Sequence, residues 1–208
     1  NERHILVNGN LSSPTLSRQL KKMLVNKGFP VEEVKELEEI PANTTDIYLL
    51  QGLTKSNANI SVSESIEQKE LAVFRSIKQL LPLSYKERKL NVTLFTYNTQ
   101  KVCRDDSITP AGGGIVGFIG SLAKEQPLWN IRIIDLDTSI LETADIEKLL
   151  KAPFNKEGSI TGYRNKYLYQ RKLYPIELWK DKPSKLKENG VYVILGGAGG
   201  IGKTTTQY

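Results

Sequence analysis

Short apolar runs alternate with amphipathic segments over most of the chain, and this alternation leaves few folds open. The runs HILVN (4–8), DIYLLQG (46–52), KLNVTLFTYNT (89–99) and WNIRIIDLD (129–137) have the length of strands. They place apolar side chains at consecutive positions, as strands covered on both faces do. Helical periodicity fills the gaps between them. In SSPTLSRQLKKMLVNKG, Ser13 is suited to cap, Pro14 to open the helix and Gly28 to stop it, with Leu16, Leu20, Met23 and Leu24 on one face. In SVSESIEQKELAVFRSIKQLLP, Ser61 and Glu64 form a capping box, and Ile66, Val73, Phe74, Ile77, Leu80 and Leu81 form a core-facing stripe that Pro82 should end. GGGIVGFIGSLAKEQP reads as a helix with a small-residue face, ending at Pro127, and TADIEKLLK as a shorter one. VEEVKEL suits strand or helix. This order predicts an α/β fold with a mostly parallel sheet flanked by helices and right-handed crossovers.

The pattern changes after Gly158. SITGYRNKYLYQRKLYPIEL alternates on either side of Arg164-Asn165-Lys166, which predicts a β-hairpin. Tyr163, Tyr167, Tyr169 and Tyr174 are expected to pair across its strands rather than to stack on bases. KDKPSKLKENG is a charged linker, and VYVIL reads as a new buried strand leading into GGAGGIGKTTTQY. We divide the chain into 1–180, a linker at 181–189, and 190–208.

That last segment admits three readings. Gly197, Gly202, Lys203 and Thr204 fit the P-loop spacing; Gly197, Gly199 and Gly202 fit the dinucleotide spacing; Gly196, Gly200 and Gly202 fit the short-chain dehydrogenase spacing. The physics is shared. Glycines let the backbone approach a phosphate, and the following helix offers free N–H groups to it. The readings differ in what must come next, and the chain stops at Tyr208. From the loop alone the P-loop leads. In the isolated chain, residues 197–208 are expected to form an unstructured tail.

Composition removes other classes. The 29 basic and 23 acidic residues leave a net charge of +6 but are interspersed, with no basic block carrying interleaved aromatics, so no nucleic-acid partner is expected. One cysteine, Cys103, and one histidine, His4, exclude an internal disulfide and a Cys/His zinc site. His4 is expected at the surface. The run Ala111–Ala123 is too short and glycine-rich to span a bilayer, and the start has no signal-peptide core, so a cytoplasmic protein is expected, cut from a larger polypeptide.

The segment AGGGIVGFIGSLAKEQPLWNIRIIDLD carries Gly114, Gly117, Leu122, Ala123, Glu125 and Pro127, followed by Asp135, Leu136 and Asp137. It resembles the helix–strand signature of the ketoreductase domains of modular polyketide synthases, closest in tone to the trans-acyltransferase type. GYRNKYLYQRKLYPI is similar to the family's Tyr/Arg-rich hairpin, and GVYVILGGAGGIG to the start of its catalytic half. The resemblance covers roughly residues 90–202. It implies a structural subdomain, a truncated Rossmann-like fold that has lost cofactor binding, joined to the first strand and glycine loop of the NADPH-binding catalytic subdomain. Gly196, Gly200, Ile201 and Gly202 would then belong to the NADPH loop. The implied parent reduces β-ketoacyl groups carried on acyl carrier protein, with the catalytic subdomain and the other synthase domains as partners in cis. Leu195 departs from the family's threonine, and Lys203-Thr204-Thr205-Thr206 from its usual helix start.

Catalysis in this family uses a Ser-Tyr-Lys set, and no residue here is assigned to it. Tyr85 and Lys89 have Y-x-x-x-K spacing but precede the glycine loop, between a helix and a strand, and are read as a solvated connection. The chain by itself should neither reduce ketones nor bind NADPH, and no metal site is assigned. Two alternatives remain on the residues: the amino-terminal part of a P-loop ATPase using Lys203 and Thr204, and a stand-alone interaction module.

Overall fold

Parallel neighbours need a crossover long enough to bring the chain back, and each helical segment supplies one. The computed structural model describes residues 2–9, 14–54, 61–84, 87–137, 145–155, 157–177 and 186–207. It forms two units, Asn1–Lys172 and Leu173–Tyr208. The expectations for Ser13 and Tyr85 lie outside the described residues.

In the first unit the strands are β1 (Arg3–Val7), β2 (Val31–Val34), β3 (Thr44–Leu49), β4 (Leu90–Tyr97), β5 (Trp129–Leu136), β6 (Ile160–Arg164) and β7 (Tyr167–Gln170). They form one sheet in the order β2-β1-β3-β4-β5-β6-β7, parallel throughout except for the β6–β7 hairpin. The helices are α1 (Thr15–Asn26), α2 (Val62–Ile66) running through a π-turn (Glu67–Leu71) into α3 (Ala72–Ser84), α4 (Gly113–Glu125) and α5 (Ile146–Leu149). The sheet is covered on both sides. Val92, Leu94, Ile131 and Ile133 meet Val73 and Ile77 of α3 and Ile115 and Ile119 of α4 on one face. Phe95, Ile134 and Leu136 meet Leu16 and Leu20 of α1 and Leu149 of α5 on the other. Each such side chain contributes about 1.5–3 kcal/mol on burial, which is why the strand segments are apolar at consecutive positions.

Local signals are met at several ends. The Gly28 N–H donates to the Val25 carbonyl and the Phe29 N–H to the Leu24 carbonyl, with Gly28 at φ +85°, a Schellman stop for α1. Ser61 and Glu64 cap reciprocally: the Ser61 N–H donates to Glu64 Oε2 at 2.8 Å and the Glu64 N–H to Ser61 Oγ at 3.2 Å.

Other expectations are corrected. Pro14 is the N-cap of α1, one residue before the helix proper. Pro82 does not end α3, which runs on to Ser84; in the last turn a proline forfeits only one helical bond. The π-turn keeps a four-residue spacing, so the buried stripe is Ser65, Lys69, Val73, Ile77 and Leu80, and Ile66 and Phe74 are exposed. His4 is buried beneath Phe29 and Tyr48, not at the surface. The hairpin forms around Asn165 and Lys166, both at positive φ, as a two-residue turn requires. Its register pairs Tyr163 with Leu168, Gly162 with Tyr169 and Arg164 with Tyr167. Odd positions therefore face even ones, and the odd-numbered tyrosines never face one another.

In the second unit VYVIL does not form a strand: Val191, Val193 and Leu195 are almost fully exposed and pair with no strand among the described residues. An extended segment without a partner has no ladder to hold it. The glycine segment, expected as an unstructured tail, turns into a short helix, α6 (Gly200–Thr206).

Candidate functional site

Gly196 and Gly202 are the glycines the final loop needs. Gly196 stands at φ +84°, and its carbonyl accepts from the Gly199 N–H at 3.0 Å. Gly202 is buried in the first turn of α6, where a Cβ would strike the Gly196 carbonyl and stand 2.5 Å from Gly197 Cα. The loop thus folds against its own helix through backbone. Gly200 has open space around it, and Ile201 is exposed. Of the four loop residues singled out from sequence, two are brought together and two lie at the surface. The Thr204 hydroxyl donates to the Gly200 carbonyl at 3.2 Å, an intrahelical use that leaves it turned to its own backbone.

Open α/β sheets bind ligands beyond the carboxyl ends of their strands, where the strand order reverses. In the first unit that point lies between β1 and β3. Gly9 follows β1 at φ +58°, and a Cβ there would stand 2.7 Å from Gln51 Cγ. Gln51, directly after β3, is buried, and its Oε1 accepts from Ser76 Oγ at 2.9 Å. Its side chain fills this part of the crevice.

The amino end of α4 is the second place where an anion would be stabilised. A carboxylate of the chain itself is there. Glu70 Oε1 accepts from the N–H groups of Gly112 at 3.0 Å and Gly114 at 3.2 Å. Gly114 makes room, since a Cβ would stand 2.5 Å from Glu70 Oε2. The π-turn presents Glu70 to α4 while its neighbour Lys69 is buried, donating to the Tyr97 hydroxyl at 3.0 Å.

The third feature is a buried ion network. Asp135, at the end of β5, accepts on Oδ1 from Thr96 Oγ1 at 2.8 Å, the Thr99 N–H at 2.9 Å and Thr99 Oγ1 at 2.7 Å. Its Oδ2 accepts from Arg164 Nη2 at 2.7 Å and from the Gln100 N–H at 3.3 Å. Arg164 spends all five N–H groups: on Asp135 Oδ2, the carbonyls of Gln100, Asp135 and Tyr163, and Asp106 Oδ2. Burial alone would lower the Arg164 pKa, but Asp135 and then Asp106 outweigh it and raise it. Burial alone would raise that of Asp106; the N–H groups of Val102 and Cys103, with Arg164, hold it below the usual carboxylate range. The Arg164–Asp106 pair therefore stays charged, and the hydrogen bonds of the network pin residues 99–106 to the hairpin.

Gln51, Glu70, Asp106 and the meeting of Asp135 with Arg164 were not anticipated. Asp135 and Arg164 were each visible as landmarks, 29 residues apart. Nothing in the spacing says that they touch. Lys89 is exposed in the connection before β4. Among the described residues, no group of three or more His, Cys, Asp or Glu is placed to hold a metal ion, and no helix is long and apolar enough to cross a membrane.

No family model matches the chain. Its fold matches part of the adenylation, ketoreductase and pseudo-Asub multidomain structure of a keto acid-selecting NRPS module: TM-score 0.70, 14% identity, 100% of this chain and 20% of that one. It also matches the first ketoreductase of the tylosin PKS, with TM-score 0.55 and 20% identity over 82% of this chain and 38% of that one. A short chain dehydrogenase from Mycobacterium avium matches with TM-score 0.53 and 9% identity, over 89% of this chain and 90% of that one. In sequence, polyketide synthase PksN of Bacillus subtilis is 35% identical over 156 residues, 75% of this chain. The chain is related in sequence to polyketide synthases, and its fold is the one found in ketoreductases. Polyketide synthase PksM of the same organism is 33% identical over 146 residues, 70% of the chain. The chain spans about 3% of the length of these synthases. Within the ketoreductase fold, Leu122 and Ala123 of the family-like signature are buried on α4 against the sheet, and Asp135 anchors the ion network.

Proposed function

We propose that residues 1–180 are the structural subdomain of an NADPH-dependent ketoreductase, joined through 181–189 to the first part of its catalytic subdomain at 190–208. The parent would reduce β-ketoacyl groups carried on acyl carrier protein within a cytoplasmic, multidomain synthase. The observation that carries this reading is how the first unit uses its ligand-binding positions. Gln51 packs into the switch-point crevice and Glu70 caps α4, so both positions serve packing. A unit built this way acts as a scaffold for a neighbour.

The glycine loop fits a nucleotide diphosphate. Gly196 supplies the positive φ, and Gly202 lets backbone meet backbone, leaving the N–H groups at the start of α6 as donors. Gly196, Gly200, Ile201 and Gly202 would hold the NADPH pyrophosphate, and the cofactor would supply the hydride. With Thr204 bonded to its own helix and the relatives all synthases, the P-loop reading has no support beyond its spacing. The test compares the 208-residue chain with the polypeptide continued through the rest of the ketoreductase. The longer protein should bind NADPH, by quenching of its fluorescence, and reduce a β-ketoacyl thioester; the shorter should do neither. Mg-ATP binding without NADPH binding in the longer protein would refute the reading.

A further inference from the structure

The two edges of the sheet carry opposite charge. Among the described residues no strand lies beyond β2 at one edge or beyond β7 at the other. Each edge therefore presents one side of its backbone N–H and C=O groups unpaired. Along β2 runs a groove lined by Glu32, Val34, Lys35, Glu36, Glu38 and Glu39, four carboxylates to one lysine. Arg3 pairs with Glu32 at 2.9 Å, whereas Glu36, Glu38 and Glu39 are exposed and form no ion pair among the described residues. Beside β7 lies a cavity of about 230 Å³, where Lys101 and Arg171 join Val102, Ile160, Gly162 and Tyr169 and no carboxylate is present. Gly162 lets the 100–102 wall of this cavity come down on the sheet, since a Cβ there would stand 2.5 Å from Val102 Cγ2. Arg164, bonded to the Gln100 carbonyl and to Asp106, holds that wall to the hairpin before any partner arrives.

We propose that the β7 edge of one copy of this chain receives the β2 edge of a second copy, so that the sheet extends from copy to copy. The faces match. Val34 and Ile160 pack into the same core cluster, on the α3–α4 side of the sheet, and Gly162 with its register partner Tyr169 stands on the Ile160 side. β7 runs against the other strands. A second copy set beside it in the same orientation therefore brings β2 antiparallel to β7, with the acidic groove and the basic cavity on one side. Charge selects this pairing over the alternatives. Two β7 edges would crowd Lys101, Lys166 and Arg171 together, and two β2 edges would crowd glutamates; β2 on β7 sets glutamates against Lys101 and Arg171. A contact between two different patches that does not close into a ring adds copies in a row instead of stopping at two. Main-chain hydrogen bonds supply the attraction, and strands of four residues each keep it weak. The inference is independent of the activity proposed above.

The test is sedimentation of the 208-residue chain at concentrations up to about 1 mM. At about 0.01 M salt, where charges act over about 30 Å, the mean mass should climb with concentration past that of a dimer. At about 1 M salt, where they act over about 3 Å, it should fall back towards the monomer. The double variant Lys101→Glu, Arg171→Glu changes two exposed side chains and should weaken association about tenfold or more without moving the melting temperature. The triple variant Glu36→Lys, Glu38→Lys, Glu39→Lys should do the same. Mixed in equal amounts, the two variants should associate again, because each supplies the charge that the other needs. A monomer at both salt strengths refutes the proposal. So does a mass that stops at the dimer, which would assign the contact to one patch meeting itself. Association that survives both charge reversals, or variants that stay apart when mixed, would also overturn it. If either variant melts lower, the salt dependence of the unaltered chain decides.

Discussion

Replacing Asp135 with Asn tests whether the buried ion network holds the carboxyl edge of the sheet together. The carboxylate accepts five hydrogen bonds, three on Oδ1 and two on Oδ2, and is fully buried. An asparagine has one acceptor oxygen. Whichever way the amide is turned, its NH2 faces donors, either Thr96 and Thr99 or Gln100 and Arg164. If the oxygen stays with the threonines, the amide opposes Arg164 Nη2, and a guanidinium 1% exposed keeps only Asp106 as a charged partner. Orphaning a buried charge costs about 3–5 kcal/mol. Asp106 remains, so about 3 kcal/mol is expected. In urea, with m of roughly 1–3 kcal/mol/M, this lowers the midpoint by about 1 M or more at unchanged m. Far-UV circular dichroism would follow the transition. The double variant Asp135→Asn, Arg164→Met should lose less than the sum of its singles, by about 2 kcal/mol, because no unpaired guanidinium then remains. A loss below about 1 kcal/mol, or simple additivity, would refute the argument.

Other consequences are as direct. Glu70→Ala removes the acceptor for the Gly112 and Gly114 N–H groups and should cost about 1 kcal/mol by urea unfolding; no loss would mean that water replaces the cap. Gly158→Ala places a Cβ against the Gly120 backbone at φ +72° and should cost more than about 2 kcal/mol, whereas Gly28→Ala, with open space around it, should cost only the left-handed penalty of about 1–2 kcal/mol; equal losses would contradict the close approach of α4. His4 is buried, and burial lowers its pKa against the opposing pull of Asp46 and Glu2. The unfolded chain therefore takes up a proton below about pH 6.5 that the folded chain refuses, so stability falls as pH drops below that value. His4→Gln should flatten the slope between pH 7.5 and 5.5, and an unchanged slope would exclude His4 as its source.

Much of the fold could be read from the residues because the signals are local. Val25, Leu24, Gly28 and Phe29 make the stop of α1 within one turn, and Ser61 and Glu64 make their capping box across three residues. The hairpin turn at Asn165 and Lys166 is equally local. The candidate site was legible only in its glycines. Gln51 against Gly9, Glu70 against Gly114 and Asp135 against Arg164 join residues 29 to 44 positions apart, and no spacing rule encodes such meetings.

Apolar periodicity by itself determined that this chain builds a parallel sheet between helices, because burial on two faces demands consecutive apolar strand residues and one stripe per helix. The family-like residues from Gly114 to Asp137 pointed to its relatives. Tertiary structure decided what the polar residues do. A glutamate or an arginine has no preference for a particular partner until packing removes water around it; only then must each N–H find an acceptor. That is why Glu70, a surface residue by type, caps α4, and why Lys69 and His4 are buried while Phe74 is left half-exposed.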